Sequence, residues 1–357
     1  MRTVSIPSIT APGRHRIPLP ARLAALGAVV AVTAPLAVAC GSPDDSASPG
    51  NPRDVIIGDD GSITYTTCGH EIHMDKHPDT VISAGLGGIN TLVAAGGAGK
   101  VIGRSYEYGE PPSSITKGKI EDIDVLSDEG LTPEQVVSTN PDWLYGESFG
   151  TQGLSPEWMM EHDIKFMIPE YECYNYYPDK PYVEPTMDAI VDEIGRVATV
   201  LGTEEAARRE IEDLTATIDE AKRIASTVPT QRVAVVYFFD ESNDFFSYGA
   251  KGVPQEMLTA LGHENATDPN YFYHDGPLSP ESFIQSDPDI VIVATGSSGV
   301  DFASSVKRLK SIPGIADMRA FKENRIAEAP NAGFYASAES IPAMKTVAEA
   351  IAKYGVK

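Results

Sequence analysis

The sequence predicts an α/β protein of two αβ lobes, each built on a central, mostly parallel sheet, joined by a single long helix. Three observations predict it. A sixteen-residue phrase occurs twice, as LTPEQVVSTNPDWLYG over Leu131–Gly146 and as LSPESFIQSDPDIVIV over Leu278–Val293, an offset of 147 residues. Each copy reads as a short helix, a Pro-Asp turn and a buried strand, so two copies imply two lobes of like construction. Helices alternate with short apolar strands through the body of the chain, the signature of a parallel sheet covered on both faces. Between the copies, apolar residues at 187, 190, 191, 194, 197, 198 and 201 mark one face of a helix over 186–201, where the lobe boundary is expected.

Residues 1–39 are expected to lie outside the fold. Arg14, Arg16 and Arg22 form a positive region ahead of an apolar run, Leu23–Val38, that is short and alanine-rich for a membrane span and ends in small residues. Leu36-Ala37-Val38-Ala39-Cys40 resembles a bacterial lipoprotein signal. That implies cleavage before Cys40 and a lipid on its thiol; an ordinary secretory signal with an incidental cysteine is the alternative. Residues 40–54 are largely small, polar and proline-containing, and read as a flexible tether. With Cys40 lipidated, Cys68 and Cys173 are left as a pair in an oxidising compartment. A disulfide is the economical reading, two free thiols the other. It would close a loop of about 105 residues, with a ceiling of roughly 4–5 kcal/mol on its stabilisation.

The N-terminal lobe is expected over 55–185. Val55–Thr67 alternates around Asp59–Gly61, as a hairpin does. A strand at Val81–Ala84, a turn at Gly85–Gly88, a helix at Ile89–Ala95 and a strand at Lys100–Gly103 follow. After the first copy of the phrase, a helix closes at Met159–Asp163 and a strand runs over Ile164–Ile168. Tyr171–Tyr177, flanked by Pro169, Pro178 and Pro181, reads as a loop. Beyond the connecting helix, the C-terminal lobe spans 202–357. Thr203 opens a helix with Glu204 and Glu205 in its first turn, running to about Ser226. Then come a strand at Arg232–Phe239, a helix at Gln255–Leu261 and the second copy. A helix near 301–310, a strand near 325–328 and a terminal helix near 339–354 complete the lobe.

The chain carries 28 Lys and Arg against 51 Asp and Glu. The leader holds four of the arginines and no acid, so the remainder has 24 basic side chains against 51 acidic, a net charge of −27. That argues against nucleic acid or an anionic membrane surface as a partner and suits a neutral or cationic ligand. No His-Glu-x-x-His or Walker A phrase occurs, and neither enzymatic activity nor an intrinsic cofactor is expected. His70-Glu71-Ile72-His73-Met74-Asp75-Lys76-His77 has metal-ligand spacing, but it precedes the first core strand and reads as a solvated edge segment.

Three phrases near the start of the core come in order: Pro78-Asp79-Thr80-Val81-Ile82-Ser83, Leu92-Val93-Ala94-Ala95-Gly96 and Val101-Ile102-Gly103. Leu131-Thr132-Pro133-Glu134 with Asn140-Pro141-Asp142 follows, and then Leu278-Ser279-Pro280-Glu281 with Asp287-Pro288-Asp289. Together they make residues 65–357 resemble the iron-siderophore and cobalamin substrate-binding proteins of ABC importers. The resemblance implies a monomer that takes a ferric chelate as its transported ligand and delivers it to a permease dimer with its ATPase. It implies an extracytoplasmic position, lipid-anchored to the outer face of the cell membrane. It also implies that Glu134 and Glu281 dock, one per lobe, into arginine-bearing pockets of the two permease subunits. Two like charges at fixed separation on a rigid body can address a two-fold partner. A glutamate in a first helical turn is also favoured by the helix dipole alone.

Ligands of such sheets bind beyond the carboxyl ends of the strands. There the sequence places Arg104, Tyr106 and Tyr108, then Glu147 and Phe149, then Tyr171 and Tyr174. The second lobe contributes Phe239, Asp240, Tyr248, Phe334 and Tyr335. Tyrosine offers flat area with a polar tip, suited to a large chelate, and a phenolate can ligate ferric iron. The bases at these exits, Arg104 and Lys251, are outnumbered by Glu107, Glu147, Glu170, Glu172, Asp240 and Glu241. A neutral or cationic chelate such as a hydroxamate is therefore expected, with haem, a corrinoid or a sensor role as alternatives. Trp143 is expected near the cleft, where its fluorescence would report binding.

Overall fold

The computed structural model describes residues 55–355 apart from 106, 108, 129, 148, 150–152, 241, 243, 272–275 and 297–299. The leader, Cys40, the tether, Tyr106 and Tyr108 lie outside the described residues. Strands β1 (Val55–Ile57), β2 (Ile63–Thr67) and β3 (His70–Met74) form a small antiparallel sheet. The first lobe continues through β4 (Val81–Ala84), α1 (Leu86–Ala94), β5 (Val101–Ser105), β6 (Val125–Ser127), α2 (Pro133–Thr139), β7 (Trp143–Gly146), α3 (Pro156–Glu161), β8 (Phe166–Met167) and α4 (Cys173–Tyr176). Its sheet has the order β6-β5-β4-β7-β8 and is parallel throughout. Two long helices follow, α5 (Met187–Leu201) and α6 (Glu204–Ala225). The second lobe comprises β9 (Arg232–Tyr237), β10 (Phe246–Ser247), α7 (Val253–Ala260), β11 (Glu264–Asn265), α8 (Pro280–Ser286), β12 (Ile290–Thr295), α9 (Phe302–Ser311), α10 (Arg319–Lys322), β13 (Ile326–Pro330) and α11 (Ser340–Tyr354). Its sheet runs β10-β9-β12-β13 with β11 also on β9, and β10 is its antiparallel member. The fold is α/β, as the alternation predicts. No helix among the described residues is long and apolar enough to cross a membrane.

The repeated phrase builds the same unit twice. Thr132 and Ser279 cap α2 and α8 by accepting from Gln135 N and Ser282 N, with Pro133 and Pro280 in the first turn. Asn140 (φ 49°) and Asp287 (φ 38°) end those helices in the left-handed region. The aspartate after each proline then ties its strand to a neighbour. Asp142 Oδ2 accepts from Asp79 N and Thr80 N, both at 2.9 Å, and from Thr80 Oγ1 at 3.0 Å, fixing the entry to β4. Asp289 Oδ2 accepts from Arg232 N at 2.9 Å, fixing the entry to β9. The Pro-Asp turn therefore sets strand register at the end of each sheet away from the strand exits.

The helix expected over 186–201 corresponds to α5, capped by Thr186 and ended by Gly202. It packs against α1 and α6, while α6 runs on along α11, with Thr203 Oγ1 donating to Ala95 O at 2.6 Å and Lys345 paired with Glu220 at 2.8 Å. At 1.5 Å per residue, α6 spans about 33 Å. We propose that α5 and α6 together make the connection between the lobes.

The small sheet is fastened to the first lobe by buried polar contacts and a covalent bond. Trp143 Nε1 donates to Tyr65 Oη at 2.8 Å, and Tyr65 Oη donates to Phe166 O at 2.9 Å. Buried Arg196 on α5 pairs with buried Glu193 at 3.3 Å and donates to Thr66 O. Cys68 and Cys173 form a disulfide that links the β2–β3 turn to the start of α4.

Three local expectations change. Helix α1 begins at Leu86, where a turn through Gly88 was expected, because a carboxylate sixty residues later receives its first amides. Tyr171–Tyr177, expected as a loop, falls mostly within a 3-10 turn (Glu170–Glu172) and α4, preceded by Pro169 and held by the disulfide. Trp143, expected near the cleft, opens β7 opposite Val81, at the far end of the strand, and is fully buried.

Asp142→Ala is expected to cost about 1–2 kcal/mol in urea unfolding through loss of its charge-assisted bonds. Replacing both Cys68 and Cys173 by serine is expected to cost about 2–5 kcal/mol. An unchanged midpoint in either case contradicts the assigned role.

Candidate functional site

Polar contacts join groups that follow the strands of the first sheet to groups that follow those of the second. Asn331 Nδ2, just after β13, donates to Glu110 Oε1 at 3.1 Å, and Tyr248 Oη donates to Asn331 Oδ1 at 2.5 Å. Glu110 is buried beside Gly296, where a Cβ would come within 2.4 Å of its Oε2. Ser114 Oγ and Ile115 N both donate to Glu339 Oε2, at 2.7 and 3.2 Å. Tyr171 Oη donates to Ala336 O at 3.3 Å, and Gly252 N donates to Tyr182 Oη at 2.7 Å.

Aromatic rings gather near these contacts in both lobes. In the second lobe, Tyr237 stacks on Phe246 (5.5 Å between centroids) and lies 4.8 Å from Tyr248, which in turn touches Phe334 at 5.6 Å and Tyr335 at 6.5 Å. In the first, Tyr174 meets Tyr182 edge to face at 5.5 Å. Burial pushes the phenols of Tyr171, Tyr182, Tyr237 and Tyr335 up from their ordinary value, and nearby carboxylates add to the shift for Tyr171, Tyr182 and Tyr335. These rings are neutral near pH 7, so an iron-bound phenolate would have to form against the surrounding charge.

The electrostatics are set by acids. Glu147 follows β7 and places its carboxylate on the first turn of α1, accepting from Gly87 N at 2.8 Å and Gly88 N at 2.9 Å. Burial nevertheless pushes its carboxyl up to about 7 against the pull of those amides, with Glu107 adding to the rise. Glu172 is pushed up to about 8 by burial and by the charge of Glu147, although Asn175 Nδ2 donates to it at 2.6 Å. Burial also raises Glu107, outweighing its ion pair with Arg104. The other carboxylate oxygen of Glu107 is buried without a hydrogen-bond partner. Lys251 lies over the Tyr182 ring at 5.3 Å.

A profile of the periplasmic binding protein family matches residues 81–332. The chain belongs to the periplasmic binding protein family. No curated protein matches it by sequence. Among solved structures, a periplasmic binding protein from Veillonella parvula superimposes with a TM-score of 0.69 at 18% identity, covering 84% of this chain and 100% of that one. An ABC-type Fe3+-hydroxamate transport system protein from Saccharomonospora viridis gives 0.66 at 17% identity, with 81% and 98% covered. The apo form of a periplasmic heme-binding protein from a Roseiflexus species gives 0.60 at 22%, with 77% and 98% covered. At these identities the likeness is one of fold. Members of the family are extracytoplasmic solute-binding proteins that work with a permease and an ATPase.

In this periplasmic binding protein, the sequence-selected residues fall into three groups. Glu147, Tyr171, Tyr174, Tyr248, Phe334 and Tyr335 lie among the strand-exit groups just described, and Arg104 beside them is occupied by Glu107. Phe149 is turned into the first-lobe core, fully buried with its ring 6.5 Å from Phe166. Phe239 is exposed, and Asp240 is exposed on the side of α9, its carbonyl accepting from Arg308 at 2.8 Å. Glu134 and Glu281 are exposed on the first turns of α2 and α8.

Sequence reasoning missed Glu110, Tyr182, Asn331 and Glu339; turn residues at Gly109-Glu110-Pro111 were the available signal for the first. The histidine-rich stretch disperses: His73 bonds Thr64, His77 donates to Val200 O and His70 lies against Tyr177. Among the described residues no cluster of acids, histidines and cysteines is arranged to hold a metal ion.

Gly146-Glu147-Ser148-Phe149-Gly150 has the Gly-x-Ser-x-Gly spacing of a hydrolase elbow, but not its setting. An elbow leads from its strand directly into a helix. Among the described residues the next helix is α3, from Pro156, and Tyr176 Oη donates to Glu147 O and accepts from Phe149 N.

Glu172 holds its proton more tightly folded than unfolded, so folding takes up a proton between its ordinary value near 4.5 and about 8. Its contribution to stability therefore falls as pH rises through that window. Glu172→Gln is expected to gain in melting temperature relative to wild type at pH 8 compared with pH 5; an equal difference at both values contradicts the assignment.

Proposed function

We propose that this chain is the substrate-binding component of an ABC importer that captures a neutral or cationic ferric chelate, hydroxamate-like, between its lobes and delivers it to the permease. The observation that carries this reading is a set of neutral aromatic rings and raised carboxyls whose accompanying bases are engaged, Arg104 paired with Glu107 and Lys251 set over the Tyr182 ring. Tyrosine faces receive the apolar edge of a large chelate. Anionic chelates such as catecholates and citrates would meet carboxyls in place of bases and oppose their ionisation, at a cost that grows with desolvation. Elevated phenol pKa values weigh against haem held by a tyrosinate.

Cys40 would anchor the mature chain to the outer face of the membrane through the tether, and no catalysis is proposed. Glu134 and Glu281, at equivalent helix N-termini of the two lobes, are the proposed permease-docking pair. The ring stacking and interlobe contacts favour capture with small lobe motion.

Calorimetric titration with ferric trihydroxamates, ferric tris-catecholates, haem and cobalamin tests the cargo. Saturable binding of a trihydroxamate is expected, and binding of haem or cobalamin alone overturns the hydroxamate assignment. The doubly substituted Glu134→Ala, Glu281→Ala protein is expected to keep ligand affinity within about twofold and to lose uptake. Weakened binding in the purified protein contradicts the docking role.

A further inference from the structure

Helix α1 opens at the strand exits with two amides that have no acceptor within the helix, a place where sheets of this kind commonly receive an anionic group of the ligand. Here the chain supplies the anion itself. Glu147 fills the cradle from 60 residues away, with both carboxylate oxygens on Gly87 N and Gly88 N. The cradle is cleared for it. A Cβ on Gly85 (φ 102°) would lie 2.3 Å from Glu147 Oε1, and one on Gly87 would lie 3.2 Å from it. Its backbone is pinned as well, Glu147 N donating to Ala84 O at 3.0 Å and Glu147 O accepting from Tyr176 Oη at 2.6 Å. The site borders the second lobe, since the same Gly87 Cβ would come 3.2 Å from Ala336 O, the atom that accepts from Tyr171.

We propose that Glu147 sets the charge selectivity of the cleft: by occupying the amide cradle of α1, it removes an anion-receiving point and leaves an ionisable acid in its place, so that anionic chelates are refused and neutral or cationic ones admitted. This rests on the reading of the cleft as a ferric-chelate site. The groups that face Glu147 act in the same sense. They are Glu107 from the segment after β5, Glu172 from the turn before α4, and the phenols of Tyr145, Tyr171 and Tyr335. The guanidinium of Arg104, on β5, is engaged by Glu107. An ammonium group of a ligand would be stabilised here, while a carboxylate or catecholate would find the cradle filled.

The test compares wild type, Glu147→Gln and Glu147→Ala by calorimetry with three ferric chelates: a trihydroxamate bearing a free ammonium, a neutral trihydroxamate and an anionic tris-catecholate. The glutamine keeps a carbonyl for one amide and preserves the shape; the alanine opens the cradle. The preference for the cationic over the anionic chelate is expected to fall by about tenfold or more in both variants. An unchanged preference, with all three ligands weakened by one common factor, gives Glu147 a structural role alone and overturns the proposal. Failure of the wild type to bind either trihydroxamate overturns the cargo reading itself, and this inference with it.

Discussion

The carboxylate of Glu147 in the amide cradle of α1 is the contact on which the first lobe and the cleft both depend. It decides where α1 begins, because the first amides of a helix need acceptors that the helix cannot supply. It ties the exit of β7 to the exit of its neighbour β4, the middle strand of the first sheet. Burying a carboxylate is unfavourable unless its oxygens are bonded, and two amides at an N-terminus offset part of that cost. They do not offset all of it, which is why the group titrates near neutrality rather than with ordinary glutamates.

The opposite ends of the sheets are organised by a second kind of carboxylate. Asp142 and Asp289 each follow a proline and bond the entry of an adjacent strand. The same duplicated phrase puts a glutamate on an exposed first turn. Because α2 leads from the end of β6 to the start of β7, its N-terminus lies at the strand exits, and α8 serves the second sheet in the corresponding way. One short sequence thus fixes strand register at one end of a lobe and presents a charge at the other. That economy explains why the phrase recurs with its Pro-Glu and Pro-Asp intact while its apolar positions drift.

Much of the architecture was legible in sequence because it depends on local signals. Thr132, Ser279 and Thr186 announce helix starts, and Gly202 and Asn140 announce ends. The apolar runs at 81–84, 232–237 and 290–295 are buried strands. The features that were not legible depend on partners far away in the chain. No local pattern shows that Glu147 will cap a helix sixty residues earlier, or that Glu110 will cross to Asn331. Phe149 looks like a cleft residue by position, yet packing on Phe166 turns it inward. The residues around Tyr171 look like a loop by their prolines, yet the bond from Cys173 to Cys68 holds a helical turn there. Strands of two or three residues, such as β6, β10 and β11, are too short to show a period.

The central claim is that ionisable carboxylates face the ligand, and proton counting tests it most directly. A cationic ferric trihydroxamate brought beside Glu147 and Glu172 favours their charged forms, so binding near pH 7 drives protons off groups that titrate at about 7 and about 8. Calorimetry in buffers of different ionisation enthalpy gives that number. A net release on the order of one proton per ligand is predicted; binding with no proton exchange, or with proton uptake, would contradict the claim.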